Sequence, residues 1–168
     1  MVYKKNGNIV YDGYFVNDKK EGDGKLNYED GGCYIGQFKN DLRHGRGKLY
    51  YPNGNIKYDG DFVNDEREGN GKFVWEDGEY YIGSWLNGLK HGRGTYYYKN
   101  GNVKYDADFV LNKMEGEVKY IDENGNCYIG QISNGKWEGV AYDKNGEIIN
   151  NVDNSDYEKI KKDKCMIF

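Results

Sequence analysis

One landmark constrains this chain more than any other feature: a tyrosine followed two residues later by glycine, or a close variant, at nearly constant spacing. The tyrosines that open these segments are 23 or 24 residues apart, at Tyr11, Tyr34, Tyr58, Tyr81, Tyr105 and Tyr128. A fixed period between roughly 20 and 50 residues indicates a repeat architecture in which each unit contacts only its neighbours. We therefore expect six stacked copies of one small unit.

Each unit has the pattern of a β-hairpin. The stretch YIGSWLNGLKHGRG (81–94) alternates along one strand, turns at Asn87-Gly88 and restarts as a second strand. Asn-Gly between two such runs is typical of a two-residue hairpin turn. Because alternate residues share one face of a strand, rings and glycines lie on the same surface, and a ring can cover the backbone of a neighbouring glycine.

The predicted fold is all-β: an elongated single-layer antiparallel sheet of six stacked hairpins. The chain is 37% hydrophobic but has 18 Tyr and 25 Gly, too few aliphatic side chains for a thick core and too many glycines for a helical bundle. Residues 1–150 are the predicted repeat array, in which residues 2–10 form a half-repeat of one strand and a turn. Residues 151–168 are predicted to form a short capping helix or a tail, since Ser155 and Glu158 have capping-box spacing.

The net charge and the motifs argue against several classes of function. The net charge of −4 disfavours nucleic-acid binding, which needs a concentrated basic surface. No apolar run is long enough to span a membrane. His44 and His91 occupy the same repeat position and are expected to lie too far apart to act together. We find no catalytic residue, metal site or cofactor motif, and predict that the chain is not an enzyme.

The last residues suggest a lipid anchor. Cys165-Met166-Ile167-Phe168 has the pattern of a prenylation site, and a final Phe favours a geranylgeranyl group. Four lysines precede this cysteine, and they would add electrostatic attraction to an anionic membrane. They are Lys159, Lys161, Lys162 and Lys164. A solvated helix end is the alternative explanation for them. We expect the protein at the cytoplasmic face of a plasma or internal membrane, and otherwise in the cytoplasm.

The repeat pattern resembles a known family. The signature Y-x-G-x-F/W-x-N-G-x-x-H-G-x-G is similar to the MORN repeat (membrane occupation and recognition nexus). Residues 81–94 match it at Tyr81, Gly83, Trp85, Asn87, Gly88, His91, Gly92 and Gly94. The resemblance extends over six copies from residue 11 to about 146. It implies a membrane tether or a protein scaffold. A phosphoinositide-binding module, a regulatory partner of a kinase or methyltransferase, and a bacterial antitoxin-like variant remain alternatives.

The candidate surface for a protein partner is an aromatic stripe. It consists of Tyr11, Phe15, Tyr34, Phe38, Tyr58, Phe62, Tyr81, Trp85, Tyr105, Phe109 and Tyr128. Two explanations are open: the rings pack over glycines, or they form a surface for a partner protein or for self-association. The resulting prediction is a non-catalytic scaffold or adaptor, anchored by a prenylated C-terminus, that mediates protein–protein interaction.

Overall fold

The computed structural model describes residues 2–3, 9–134 and 136–152, and it confirms the all-β prediction. These residues contain no helix, and their strands follow one another in a single antiparallel sheet in the order of the chain. The strands are β1 (Val2–Tyr3), β2 (Ile9–Val16), β3 (Lys19–Asn27), β4 (Cys33–Lys39), β5 (Leu42–Tyr50), β6 (Ile56–Val63), β7 (Glu66–Val74), β8 (Tyr80–Leu86), β9 (Leu89–Tyr97), β10 (Val103–Val110), β11 (Lys113–Ile121), β12 (Cys127–Ser133), β13 (Lys136–Tyr142) and β14 (Ile148–Val152).

The chain divides into two compact units. The first contains the described residues up to Glu76 together with Trp85–Gly88. The second contains Asp77–Ser84 and the described residues from Leu89 onward. Within each unit, consecutive strands pair antiparallel in a register that places repeat glycines opposite each other, as Gly36 lies opposite Gly47.

The short turn of each hairpin has left-handed backbone. At Asn64-Asp65 the two φ angles are 50° and 71°, and at Asn87-Gly88 they are 49° and 77°. Positive φ at both central residues defines the type I′ turn that matches strand twist, so the predicted turn at Asn87-Gly88 is confirmed. Leu111 occupies the first position of one such turn at φ 49°, a conformation that leucine rarely adopts.

The repeat tyrosines pack over glycines, as the sequence predicts. In the first unit, a Cβ atom added to Gly47 would come within 3.0 Å of the ring of Tyr34, and one added to Gly36 would come within 3.0 Å of the hydroxyl of that tyrosine. The hydroxyl of Tyr34 donates a hydrogen bond to the carbonyl oxygen of Gln37 at 2.9 Å. Burial raises the pKa of Tyr34 to about 12. The same arrangement recurs at Tyr11 with Gly13 and Gly24, at Tyr58 with Gly60 and Gly71, and in the second unit at Tyr81 with Gly83 and Gly94.

Two repeats of the second unit depart from this arrangement. In the repeat that begins at Tyr105, Ala107 lies opposite Val118, where other repeats pair two glycines. The Tyr105 ring there stacks on Tyr120, with centroids 5.0 Å apart and planes at 24°. In the last repeat, the glycines of β12 and β13 are covered by the indole of Trp137.

A short strand lies at each end of the sheet. The strand β1 lies within residues 2–10, where the sequence predicts a half-repeat, and its Val2 and Tyr3 lie opposite Tyr11 and Ile9 of β2. The strand β14, which the sequence pattern did not indicate, pairs with β13 and places Val152 opposite Gly139. The capping helix predicted around Ser155 lies outside the described residues.

Candidate functional site

The aromatic stripe lies mostly inside the molecule. Nine of its eleven side chains are buried: Tyr11, Tyr34, Phe38, Tyr58, Phe62, Tyr81, Trp85, Tyr105 and Phe109. In the first unit they form a chain of edge-to-face contacts, with Tyr34 and Phe62 centroids 5.3 Å apart. Tyr128 is half-buried and Phe15 is exposed. This burial favours packing over glycine, the first of the two explanations, for nearly all of the stripe.

In the first unit, charged side chains join three hairpin turns to the hairpin before them. Asp65 accepts hydrogen bonds from the backbone nitrogen and the Nε of Arg43, at 2.8 and 2.9 Å. The guanidinium of Arg43 lies 5.1 Å from the centroid of Phe62. In the next hairpin, Arg67 donates to the carbonyl oxygen of Gly88 at 2.6 Å, and burial lowers the pKa of this guanidinium. These charges are therefore engaged in holding the repeats together.

A buried ion pair in the second unit has a different setting. The side chain of Lys104 is 7% exposed, and its Nζ lies 3.1 Å from Oε1 of Glu79. Oε2 of Glu79 accepts a hydrogen bond from the hydroxyl of Tyr96 at 3.0 Å. The Lys104 ammonium also lies 4.9 Å from the centroid of the Tyr98 ring and 5.9 Å from that of Tyr105. The carboxylate of Glu79 thus holds the cation, and aromatic rings lie around it.

This ion pair lies in the wall of a cavity of about 1010 Å³. We call the cavity the Glu79–Lys104 pocket. It is lined by Asp77, Glu79, Tyr98, Lys99, Asn100, Asn102, Val103, Lys104, Ile121, Asp122, Glu123 and Gly125. Val103 and Lys104 begin β10 and Ile121 ends β11, and the other lining residues lie in the turns at 75–79, 98–102 and 122–126 that connect consecutive strands. In those turns a glycine at positive φ, such as Gly101 at 89°, returns the chain to the sheet.

The repeats that build this pocket match a known sequence family. A family model described as "MORN repeat" matches residues 11–33, 34–56, 58–80, 81–103 and 128–141, more than half of the chain. The chain belongs to the MORN-repeat family. The predicted fifth repeat, at 105–127, is not among the matches, although β10 and β11 form its hairpin. A comparison with curated proteins finds no match. MORN repeats are associated with repeat scaffolds that bind proteins or lipids, and the family is not a known enzyme family.

Comparison between the chain's own MORN repeats shows what is specific to the pocket. Two repeats earlier in the sequence, 47 residues back, Gly32 stands in place of Glu79 and Leu49 in place of Tyr96. Lys57, which corresponds to Lys104, lies 5.1 Å from the ring of Tyr51. Trp75 takes the place of Asp122, and its ring packs on Phe73 with centroids 4.7 Å apart. The first unit therefore has Trp75 where the second has Asp122, whereas Asp30 and Glu76 hold the positions of Asp77 and Glu123.

The charges of the pocket favour a cationic ligand. Glu79 and Lys104 neutralise each other, and Asp122 accepts hydrogen bonds from the backbone nitrogens of Asn124 and Asn126, each at 2.9 Å. Asp77, Asp122 and Glu123 then outnumber the one remaining cation, Lys99. Tyr98, Val103 and Ile121 supply the apolar part of the lining. A long side chain with an apolar stem and a positive end fits this combination.

The predicted lipid-anchor residues are not among those that the structure describes. Cys165, Lys159, Lys161, Lys162 and Lys164 lie outside the described residues, so the lipid anchor stays a prediction. The residues that the structure describes contain no apolar helix of membrane-spanning length. Within the same described ranges, no group of three or more His, Cys, Asp or Glu side chains is placed to ligate a metal. The repeat pattern did not identify the Glu79–Lys104 pocket, although the departures from the 47-residue period at Glu79 and Tyr96 are a signal that could have found it.

Proposed function

We propose that this MORN-repeat chain is a non-catalytic scaffold that binds a basic segment of a partner protein in the Glu79–Lys104 pocket. The observation that supports the proposal is the buried Lys104–Glu79 pair, in contact with tyrosines, in the wall of a large cavity. A buried ion pair contributes little to stability compared with apolar packing, so its presence needs another reason. Holding a preformed polar wall for a ligand is such a reason.

The size and lining of the pocket support a peptide ligand. Its volume is at the upper end of ligand clefts, which run from about 300 to 1,000 Å³. Carboxylates at the rim attract a basic segment from solution and discriminate against an acidic one. The apolar residues Val103 and Ile121 give the ligand's side-chain stems something to contact. Binding would then need both parts of the ligand, a positive end and an apolar stem.

A labelled peptide tests this binding. We expect the peptide Ala-Leu-Arg-Leu-Ala to bind the full chain, and its glutamate counterpart not to bind, as measured by fluorescence anisotropy. Glu123→Lys reverses a charge of the pocket and should weaken binding by about fivefold or more. The matched control is Glu29→Lys, because Glu29 holds the same repeat position, 94 residues earlier, in the first unit. Equal weakening by the two variants would show that only overall charge matters, and would contradict the proposal.

The second part of the proposed function is attachment to the cytoplasmic face of a membrane. It is supported by the cysteine four residues from the end of the given sequence and by the lysines before it. In a protein that ends at Phe168, a prenyl group on Cys165 and the lysines would supply the two signals that stable anchoring requires. Intact-mass measurement of the native protein would detect a geranylgeranyl adduct. Detergent partitioning that persists in Cys165→Ser would rule out this anchor.

Direct lipid recognition by the repeats is the competing explanation for membrane binding. Vesicles that contain a phosphoinositide distinguish lipid recognition by the repeats from anchoring by the C-terminal segment. They are mixed with a variant that carries Cys165→Ser and glutamine in place of the four lysines. Salt-sensitive binding of this variant would assign the lipid site to the repeats. Absence of binding would leave the C-terminal segment as the membrane-binding element.

A further inference from the structure

At one edge of the first unit, backbone and side chains are exposed, whereas the equivalent groups of later repeats are covered by the preceding strand. Among the described residues, β1 pairs with β2 at Tyr11 and Ile9. In the part of the chain that the structure describes, no strand pairs with residues 12–16 of β2 on that side. The corresponding residues of β6 pair with β5 over four positions, from Gly45 opposite Phe62 to Lys48 opposite Asp59.

The exposure of Phe15 shows what this edge lacks. Phe15 is 42% exposed, whereas the residues at the same position two and four repeats later, Phe62 and Phe109, are each 1% exposed. Those two rings are covered by the strand before them and by its cation. Arg43 lies 5.1 Å from the centroid of Phe62, and Lys90 lies 5.3 Å from that of Phe109. Phe15 has a ring contact with Tyr11 at 5.1 Å, and its other side faces solvent.

The charges of this edge indicate which strand would cover it. Asp12 holds the position of Asp59, which binds Arg46 at 2.9 Å and Lys48 at 3.1 Å on the neighbouring strand. In the second unit, Asp106 binds Arg93 at 2.9 Å in the same way. Asp12 is exposed. A strand with basic residues two apart would therefore find at Asp12 the carboxylate that strands of this type already use inside the molecule.

We propose that the edge formed by Asp12–Phe15 binds an extended basic segment of a partner protein by strand addition. The segment has the chemistry of β5, with cations at the positions of Arg43, Arg46 and Lys48. Main-chain hydrogen bonds add it to the sheet, its paired cations bind Asp12, and its third cation covers Phe15. This continues the β5–β6 interface at an edge where that interface is missing.

A second copy of the chain fits this edge less well than a basic segment. The strand β14 has the sequence IINNV, with no lysine or arginine to bind Asp12. A second β2 would place another carboxylate near this one. Self-association is accordingly an outcome that the experiment below distinguishes.

The probe is a labelled peptide with the sequence of residues 42–50, LRHGRGKLY, added to the full chain. We expect saturable binding by anisotropy and gained hydrogen-exchange protection at the amides of residues 12–16. The same peptide with glutamate at its three basic positions should not bind. Asp12→Arg should weaken binding by about tenfold or more, because it places like charges together. Asp23→Arg, on the next strand, is the matched control and should change the affinity less than about twofold.

Three results would overturn the proposal. One is equal weakening by Asp12→Arg and Asp23→Arg. Another is protection that appears at residues 148–152 or around the Glu79–Lys104 pocket instead of at residues 12–16. The third is dimerisation, seen as a molar mass that doubles as the protein concentration rises, together with loss of peptide binding. The edge would then bind a second copy of the chain. Glu123→Lys should leave LRHGRGKLY binding unchanged, which separates this site from the pocket of the proposed function.

Discussion

Replacing Gly60 by alanine tests directly whether tyrosine rings packed on glycine hold this sheet. A Cβ atom at Gly60 would come within 3.0 Å of the Tyr58 ring and of the backbone of Gly71. Gly60 has ordinary backbone geometry, since it is not among the glycines at positive φ. Steric overlap is therefore the only reason to expect harm.

The expected magnitude is the difference of two opposing effects. Alanine in place of glycine inside a strand normally stabilises a protein by about 0.5–1 kcal/mol. Overpacking a well-filled site costs about 1–3 kcal/mol. For Gly60→Ala we therefore expect a net loss of about 1–2 kcal/mol in the free energy of unfolding. In a chain of this length, that corresponds to a melting temperature lower by about 3–6 °C.

Two further variants identify the ring as the cause. In a Tyr58→Leu background, Gly60→Ala should become neutral or stabilising, and the coupling energy between the two sites should be about 1–3 kcal/mol. The reciprocal change is Ala107→Gly. Ala107 holds the same position two repeats later and is buried, and the ring of Tyr105 beside it stacks on Tyr120. The change to glycine should destabilise the protein through the lost methyl group and the added backbone entropy.

Urea denaturation followed by circular dichroism and tryptophan fluorescence measures these values, provided that the two transitions coincide. The reasoning is refuted if Gly60→Ala is as stable as the wild type while Tyr58 is present. The ring would then have room to move, and glycine at this position would need another explanation.

Three other predictions follow from the described contacts. Leu111→Asn should stabilise the protein by about 1 kcal/mol, because asparagine tolerates the left-handed backbone, and Asn64→Leu should cost a similar amount; unchanged melting temperatures would contradict this. The free energy of unfolding should fall as the pH rises from about 10 to about 12, because the pKa of Tyr34 is about 12 in the folded protein and about 10 in the unfolded chain. Urea titrations at pH 9 and pH 11 measure this fall, which should be smaller in Tyr34→Phe than in the wild type. Asp65→Ala should lower the free energy of unfolding by about 1–2 kcal/mol, because Arg43 loses the acceptor of two hydrogen bonds. Asp65→Asn keeps an acceptor oxygen and should lower it less in the same denaturation assay.

The fold was predictable because every local signal in the chain agrees with it. Tyrosine and glycine two residues apart indicate which face of a strand is buried, and Asn-Gly or Asn-Asp indicates the hairpin turns other than the one at Leu111-Asn112. These signals are strong at Tyr34 and Tyr81, and the structure follows them there. The strand β14 carries neither signal, since Asn150 stands at the tyrosine position and Val152 at the glycine position. Its pairing with β13 therefore could not be expected from the pattern alone.

The Glu79–Lys104 pocket was not predictable from the repeat, because it exists where the repeat is broken. Its ion pair joins residues 25 positions apart, separated in the chain by the whole β8–β9 hairpin, and no local pattern links them. The residues at the equivalent positions 47 residues earlier, Gly32 and Leu49, carry no charge. Replacing them by Glu79 and Tyr96 adds a buried carboxylate and the hydroxyl that satisfies it, which is costly unless both are present. In a repeat protein, such a paired departure from the period points to a binding site more directly than the residues that all repeats share.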